Sequence, residues 1–95
     1  MKIYDHVIIF GQRVDISYSD DVADTDDAIC KNNKILINPS CKNKELARVF
    51  IHEFLHMVCE RVSISQGLDI ETEEMIVDSM AKALTENFYL RFKNR

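Results

Sequence analysis

The 95-residue chain is short of the residues that punctuate a fold, with only two glycines and one proline. Each of them therefore marks a turn or a stop with more than usual weight. Cysteine is sparse too. Cys30, Cys41 and Cys59 are an odd number, and none is in Cys-x-x-Cys spacing. That argues against a disulfide framework and for reduced thiols acting as small buried hydrophobes, with metal ligation the lesser alternative. Basic residues are not in excess: 12 Lys and Arg face 16 Asp and Glu, for a net charge of −4. Non-specific nucleic-acid binding, which needs a basic footprint, is disfavoured. No apolar run approaches the ~20 residues of a membrane span. Val7-Ile8-Ile9-Phe10 is too short for the core of a signal peptide, and Gly11-Gln12-Arg13 is no cleavage site. A cytoplasmic chain is the expectation. Five aspartates crowd Ser19 to Asp27, but the glycine and glutamate of a calcium-binding EF-hand loop are missing, so a solvated surface loop is expected.

What is present is enough for a globular core. Hydrophobic residues make up 46% of the chain and charged residues 29%, which excludes disorder as the default. Neither a repeat nor a linker divides the sequence, so residues 1–95 are read as one domain. Its first part reads as strands. Ile3 to Phe10 is β-branched and aromatic, Gly11-Gln12 suggests a turn, and Arg13 to Tyr18 alternates with period two. Ala28-Ile29-Cys30 and Lys34 to Ile37 flank Asn32-Asn33, a pair suited to a tight hairpin turn, and Asn38-Pro39-Ser40 ends the last strand.

From about Asn43 the period becomes helical. Leu46, Ala47, Phe50, Ile51, Phe54, Met57 and Val58 fall on one broad face. A helix over about 42–62 is expected, followed by a connection through Gly67 and a second helix over about 71–94. The second helix has an apolar stripe of Ile76, Val77, Met80, Leu84 and Phe88, acidic residues at its start and Arg91, Lys93 and Arg95 at its end. The fold class is α+β: a small antiparallel or mixed sheet of three or four short strands, then two long helices. The first helix should lie between the sheet and the second, because its apolar arc is too broad for one neighbour.

Within that first helix stands His52-Glu53-Phe54-Leu55-His56. The histidines are at i and i+4, so both rings leave one face about a turn apart and can reach one metal at ~2.0–2.1 Å. Glu53 is rotated ~100° round the helix. That is too far to be a third ligand from the same turn, but it suits a base that takes a proton from water on the open side of the metal. A catalytic site of this kind needs three protein ligands. Eighteen residues past His56, Glu74 can supply the third. Asp78, one turn beyond Glu74, can hydrogen-bond the free ring nitrogen of a ligating histidine. Glu71 and Glu73 compete with Glu74 as ligand; Glu74 is favoured because only it has an acidic partner at i+4.

His52-Glu53-x-x-His56 followed by Glu74-x-x-x-Asp78 resembles the gluzincin branch of zinc metallopeptidases. The chain from about residue 7 to its end looks like the small phage and bacterial HExxH proteins grouped with ImmA/IrrE-like metallopeptidases. The resemblance implies zinc as cofactor, His52, His56 and Glu74 as ligands, and Glu53 as general base. It also implies a sheet along the first helix whose edge strand holds an extended substrate. Larger gluzincins add a second subdomain that supplies a Tyr or His to the oxyanion. That subdomain does not fit in 95 residues, and Tyr89 would lie ~22 Å beyond Glu74 along a straight helix. Tyr4, Tyr18 and His6 are the other residues of the right type, and the sequence does not place them.

Two readings follow. One is a zinc-dependent peptidase cleaving an extended polypeptide segment. The other is a zinc-stabilised module that binds a protein partner and has little or no peptidase activity, since a metal bridging two helices would support so small a fold. Glu53 favours the enzyme, because a closed structural site has no use for a carboxylate beside it. Neither reading involves a membrane, and for nucleic acid there is only the basic tail from Arg91.

Overall fold

The computed structural model describes residues 5–41 and 43–93. Four strands come first: β1 (His6–Ile9), β2 (Gln12–Tyr18), β3 (Ala28–Lys31) and β4 (Lys34–Ile37). Helix α1 (Asn43–Arg61), a single turn α2 (Ile64–Gly67) and helix α3 (Ile70–Asn87) complete the chain. The α+β expectation is met. The strands form one mixed sheet in the order β1-β2-β4-β3. The β1–β2 and β3–β4 pairs are antiparallel, whereas β2 and β4 are parallel. The two hairpins therefore join side by side, and β3 forms one edge of the sheet. The expected start of the first strand at Ile3 lies outside the described residues.

Both hairpins use two-residue turns with positive φ at both central positions: Phe10 and Gly11 at 48° and 79°, Asn32 and Asn33 at 50° and 60°. This backbone matches the right-handed twist of the flanking strands. The Asn32-Asn33 turn was expected. The first turn falls one residue earlier than expected, on Phe10-Gly11, with Gln12 already paired to Ile9. That register gives the glycine the second left-handed position and leaves Phe10 to bear the strain, two-thirds exposed.

Alternation sends Val7, Ile9, Val14, Ile16, Ala28, Ile35 and Ile37 to one face of the sheet, where they pack with Leu46, Val49, Phe50 and Met57 of α1. Each fully buried Val or Ile contributes roughly 1.5–3 kcal/mol, so this face is the main support of the fold. The opposite face of β2 carries exposed Arg13, Asp15 and Ser17. Helix α1 contacts β3 and β4 on one side and α3 on the other, so it lies between the sheet and the last helix as its broad apolar arc required. The loop between β2 and β3 is pinned by buried Asn38, whose amide donates to the carbonyls of Asp26 (3.0 Å) and Ala23 (3.5 Å). No helix among the described residues is long and apolar enough to cross a membrane.

The end of the chain departs from expectation. Helix α3 stops at Asn87 and does not continue to 94, and its last turn carries no basic residue. Phe88 is extended (φ −135°, ψ 145°), and its N–H makes the closing bond to the Leu84 carbonyl. Beyond it the chain lets Phe92 pack against Phe50, ring centroids 5.4 Å apart. A continued helix would carry that aromatic away from the core. The expected stripe on α3 shifts as well. Val77 and Ala81 are buried, whereas Ile76, Met80 and Phe88 are largely exposed. A small residue at 81 lets the helix lie close to its neighbour. Ser63 (φ 62°) is the left-handed residue in the connection that follows α1, and Gly67 sits inside the α2 turn.

Candidate metal centre

The start of α3 sets the register of its side of the site. Asp69 caps α3, its carboxylate accepting from the Thr72 N–H at 2.7 Å. This fixes which residues of α3 meet α1: Glu73 and Asp78 are half-buried beside buried Val77, and Glu74 lies at the rim. On α1, one turn separates His52 from His56, and both rings are mostly covered, with 18% of each side chain exposed. The rings meet edge to face with centroids 4.8 Å apart.

Three donor groups converge. His52 Nε2 lies 3.2 Å from His56 Nε2 and 3.3 Å from Glu74 Oε2, and His56 Nε2 lies 2.8 Å from Glu74 Oε1. Ligands bonded to one tetrahedral ion at 2.0–2.1 Å are about 3.3 Å apart; the Nε2–Nε2 distance matches such an edge, and each histidine has one of the two Glu74 oxygens within 3.3 Å. Among the described residues, His52, His56 and Glu74 are the group of metal-capable side chains whose ligand atoms gather within 4.8 Å of one another. The chemistry of the donors agrees. His56 Nδ1 stands 2.8 Å from Glu73 Oε2. In the uncharged tautomer that donates Nδ1–H to Glu73, Nε2 presents a lone pair to the Glu74 carboxylate and to the second imidazole. Such a convergence of lone pairs is stabilised by a cation or a proton between them. The residues present therefore fit a divalent metal.

The carboxylates of α3 divide the work differently from the sequence expectation. Glu74 is in the triad. Glu73, weighed as a rival ligand, instead holds the outer nitrogen of His56. Asp78, expected to bond a ring nitrogen, has Oδ1 3.7 Å from His52 Nδ1, too long for a hydrogen bond. Its other oxygen pairs with Lys82 at 3.3 Å. His52 Nδ1 is buried without a hydrogen-bond partner among the described residues. Glu71 is exposed and is not part of the convergent group.

Glu53 sits on the sheet side of the triad. Its Oε2 accepts a hydrogen bond from the Cys30 thiol of β3 at 3.0 Å, and the same thiol lies 3.6 Å from the Glu53 carbonyl. Burial pushes the Glu53 carboxyl above its usual range, against the lowering effects of the thiol and the two histidines. Burial, reinforced by Glu53, pushes the Cys30 thiol up strongly, so it remains a protonated donor. Glu53 shares a cavity of about 260 Å³ with His52, Glu74, Arg48 and the Asp26-Asp27 end of the acidic loop. A second cavity, of about 390 Å³, is lined by Cys30, Lys31, Met57, Glu60 and Arg61 among others.

Arg48, which the sequence reading did not single out, lies one turn before His52. Its guanidinium is 3.2 Å from Glu45, 3.8 Å from Asp27 and 3.9 Å from Asp78, linking the loop, α1 and α3 at the rim of the site. Of the residues weighed for the oxyanion, Tyr89 is fully exposed in the segment after α3, and Tyr18 is exposed at the end of β2. His6 is on β1, the sheet edge opposite β3, beside Asp5. Tyr4 lies outside the described residues.

Comparison with protein-family models, with curated proteins and with solved structures gives no match in any of the three. The functional reading therefore stands on the geometry of His52, His56, Glu74 and Glu53.

Proposed function

We propose that the chain is a zinc-dependent metallopeptidase of gluzincin type that hydrolyses a peptide bond in an extended polypeptide segment. The observation that carries this reading is the convergence of His52, His56 and Glu74, with a second carboxylate, Glu53, beside the triad and outside it. His52 Nε2, His56 Nε2 and a Glu74 oxygen would hold the ion. Zinc in such a site lowers the pKa of water toward ~7 and polarises a carbonyl. Glu53 takes the proton from the attacking water on a carboxylate oxygen and delivers it to the leaving amide nitrogen. Glu73 orients His56 through Nδ1. β3 supports the choice of substrate form. It is an edge strand packed along α1, and its Cys30 touches Glu53, so a segment added to that edge would pass the site. Three free cysteines fit a reducing, cytoplasmic setting.

The second reading, a zinc-stabilised binding module, draws on one observation: the triad spans α1 and α3, so an ion there clamps the last helix to the body of the fold. Glu53→Gln separates the two. Glutamine keeps the shape and removes the base. Zinc content and thermal midpoint should be unchanged, while cleavage of an unstructured polypeptide should fall by roughly 10²–10⁴. Lost zinc would make Glu53 a ligand and sink the mechanism. A zinc-loaded parent that cleaves no extended polypeptide would favour the binding module.

A further inference from the structure

We propose that Cys30 is the positioning residue for Glu53, holding one carboxylate oxygen through its thiol so that the other is kept for proton transfer. This rests on the reading of Glu53 as the proton-carrying group. A half-buried carboxylate has lost much of its water and needs a donor in exchange. Among the described residues, Cys30 is the one side chain that donates to it, with Sγ 3.0 Å from Oε2. The bond crosses from the edge strand to the motif helix, between residues 23 apart in sequence. Its two ends line different cavities: Glu53 lines the one that contains His52 and Glu74, and Cys30 lines another. Without the thiol, Glu53 would lose the contact that fixes one of its oxygens.

The choice of cysteine follows from the surroundings. Cys30 is half-buried and packs against the core cluster that includes Ala28 and Ile35. A thiol fills that apolar place at low cost and still offers a weak donor. It is not itself a ligand, for it is outside the group of converging metal-capable atoms. Its effect on the site therefore passes through Glu53.

The test uses the full chain, with and without zinc. In the zinc-free protein, the infrared S–H stretching band of Cys30 is identified by its disappearance in Cys30→Ser. The band should sit at the low frequency of a thiol bonded to a carboxylate and move upward in Glu53→Ala. With zinc, Cys30→Val should keep the parent's metal content and KM for a susceptible polypeptide but lose roughly 10- to 100-fold in kcat, the scale of a misplaced catalytic group. Cys30→Ser, which restores a donor, should recover most of that loss even if Cys30→Val folds less well. In a Glu53→Gln background, Cys30→Val should cost nothing further. An S–H band that does not move in Glu53→Ala, or equal kcat in Cys30→Val and the parent, would overturn the proposal. If the zinc-loaded parent cleaves nothing, the peptidase reading fails. The S–H band then still decides whether Cys30 holds Glu53, so the two failures are distinguishable.

Discussion

Helix α1 has two working faces that differ in kind. Toward the sheet it presents Leu46, Val49, Phe50 and Met57, all nearly inaccessible, against Val14, Ile35 and Ile37. Toward α3 it presents His52 and His56, met by Glu73, Glu74 and Asp78. The first face is held by burial of apolar surface, which is non-directional and favours fold stability. The second is held by a few directed polar contacts around half-buried rings, with Val77 and Ala81 as the buried residues of α3. A polar seam contributes little net stability, because desolvation offsets much of each pairing. The comparison implies a division of labour: the sheet side makes the fold, and the α3 side makes the site, at some cost that a bound cation would offset.

The largest effect that could break this division lies on the sheet side. Ile35 is fully buried in a central strand. Ile35→Ala should cost about 2–5 kcal/mol through lost burial and a residual cavity. That is a large part of the roughly 5–15 kcal/mol holding a small domain. Chemical denaturation with and without zinc would check it. The loss should be the same in both, since Ile35 packs in the sheet-side core and is not among the side chains gathered at the triad. A loss that zinc abolishes would mean that the two faces are coupled.

On the α3 side, zinc at 100 times its dissociation constant should raise stability by about 2.7 kcal/mol in the parent. The gain should vanish in His56→Ala, which removes a ligand. Thermal unfolding with zinc or a chelator reads this directly. An equal gain in His56→Ala would place the ion elsewhere. Glu73 and Asp78 sharpen the comparison within the seam. Glu73 makes a 2.8 Å contact with the far nitrogen of His56, whereas Asp78 remains 3.7 Å from that of His52. Glu73→Ala should weaken zinc binding by roughly 10- to 100-fold, and Asp78→Ala by less. Competition titration against a chromogenic chelator would rank them, and the reverse order would assign the supporting carboxylate to Asp78.

The same division explains what could be read from the sequence. Alternation in β2, the apolar run of β4, the Asn32-Asn33 turn and the apolar arc of α1 are local patterns, and they are enough for the sheet side. The His52–His56 pair was equally legible, because i and i+4 share a face. The parallel pairing of β2 with β4 depends on contacts between distant residues and leaves no local mark. The end of α3 at Asn87 has a similar cause: the site for Phe92 is made by Phe50, forty-two residues earlier. On the seam, Glu73 stands one residue before Glu74, ~100° round the helix, and the acidic partner that favoured Glu74 argued only against direct ligation by Glu73. It said nothing about a hydrogen bond to the outer ring nitrogen. The Cys30–Glu53 contact joins a strand residue to a helix residue, and no spacing rule announces it.

The smallest expected effect concerns Asp69, which sets the register of the whole seam from its edge. The Thr72 N–H lowers the Asp69 carboxyl below its ordinary 3.8. A carboxyl depressed in the folded state stabilises the fold above its unfolded value, and that contribution is lost as pH falls through the lower, folded value. Asn caps a helix about as well as Asp but does not titrate there. Asp69→Asn should therefore fall slightly below the parent in thermal midpoint at about pH 5 to 7, since the charge also favours the helix start. The gap should close as the pH drops below 3.8. Asp69→Ala, which removes the cap, should lose more than Asp69→Asn at neutral pH and weaken zinc binding as well, because a frayed first turn releases Glu73 and Glu74. If Asp69→Ala changes thermal stability but leaves zinc affinity untouched, α3 is held in register by Val77 and Ala81 rather than by its cap, and the apolar part of the seam does more than the polar contacts suggest.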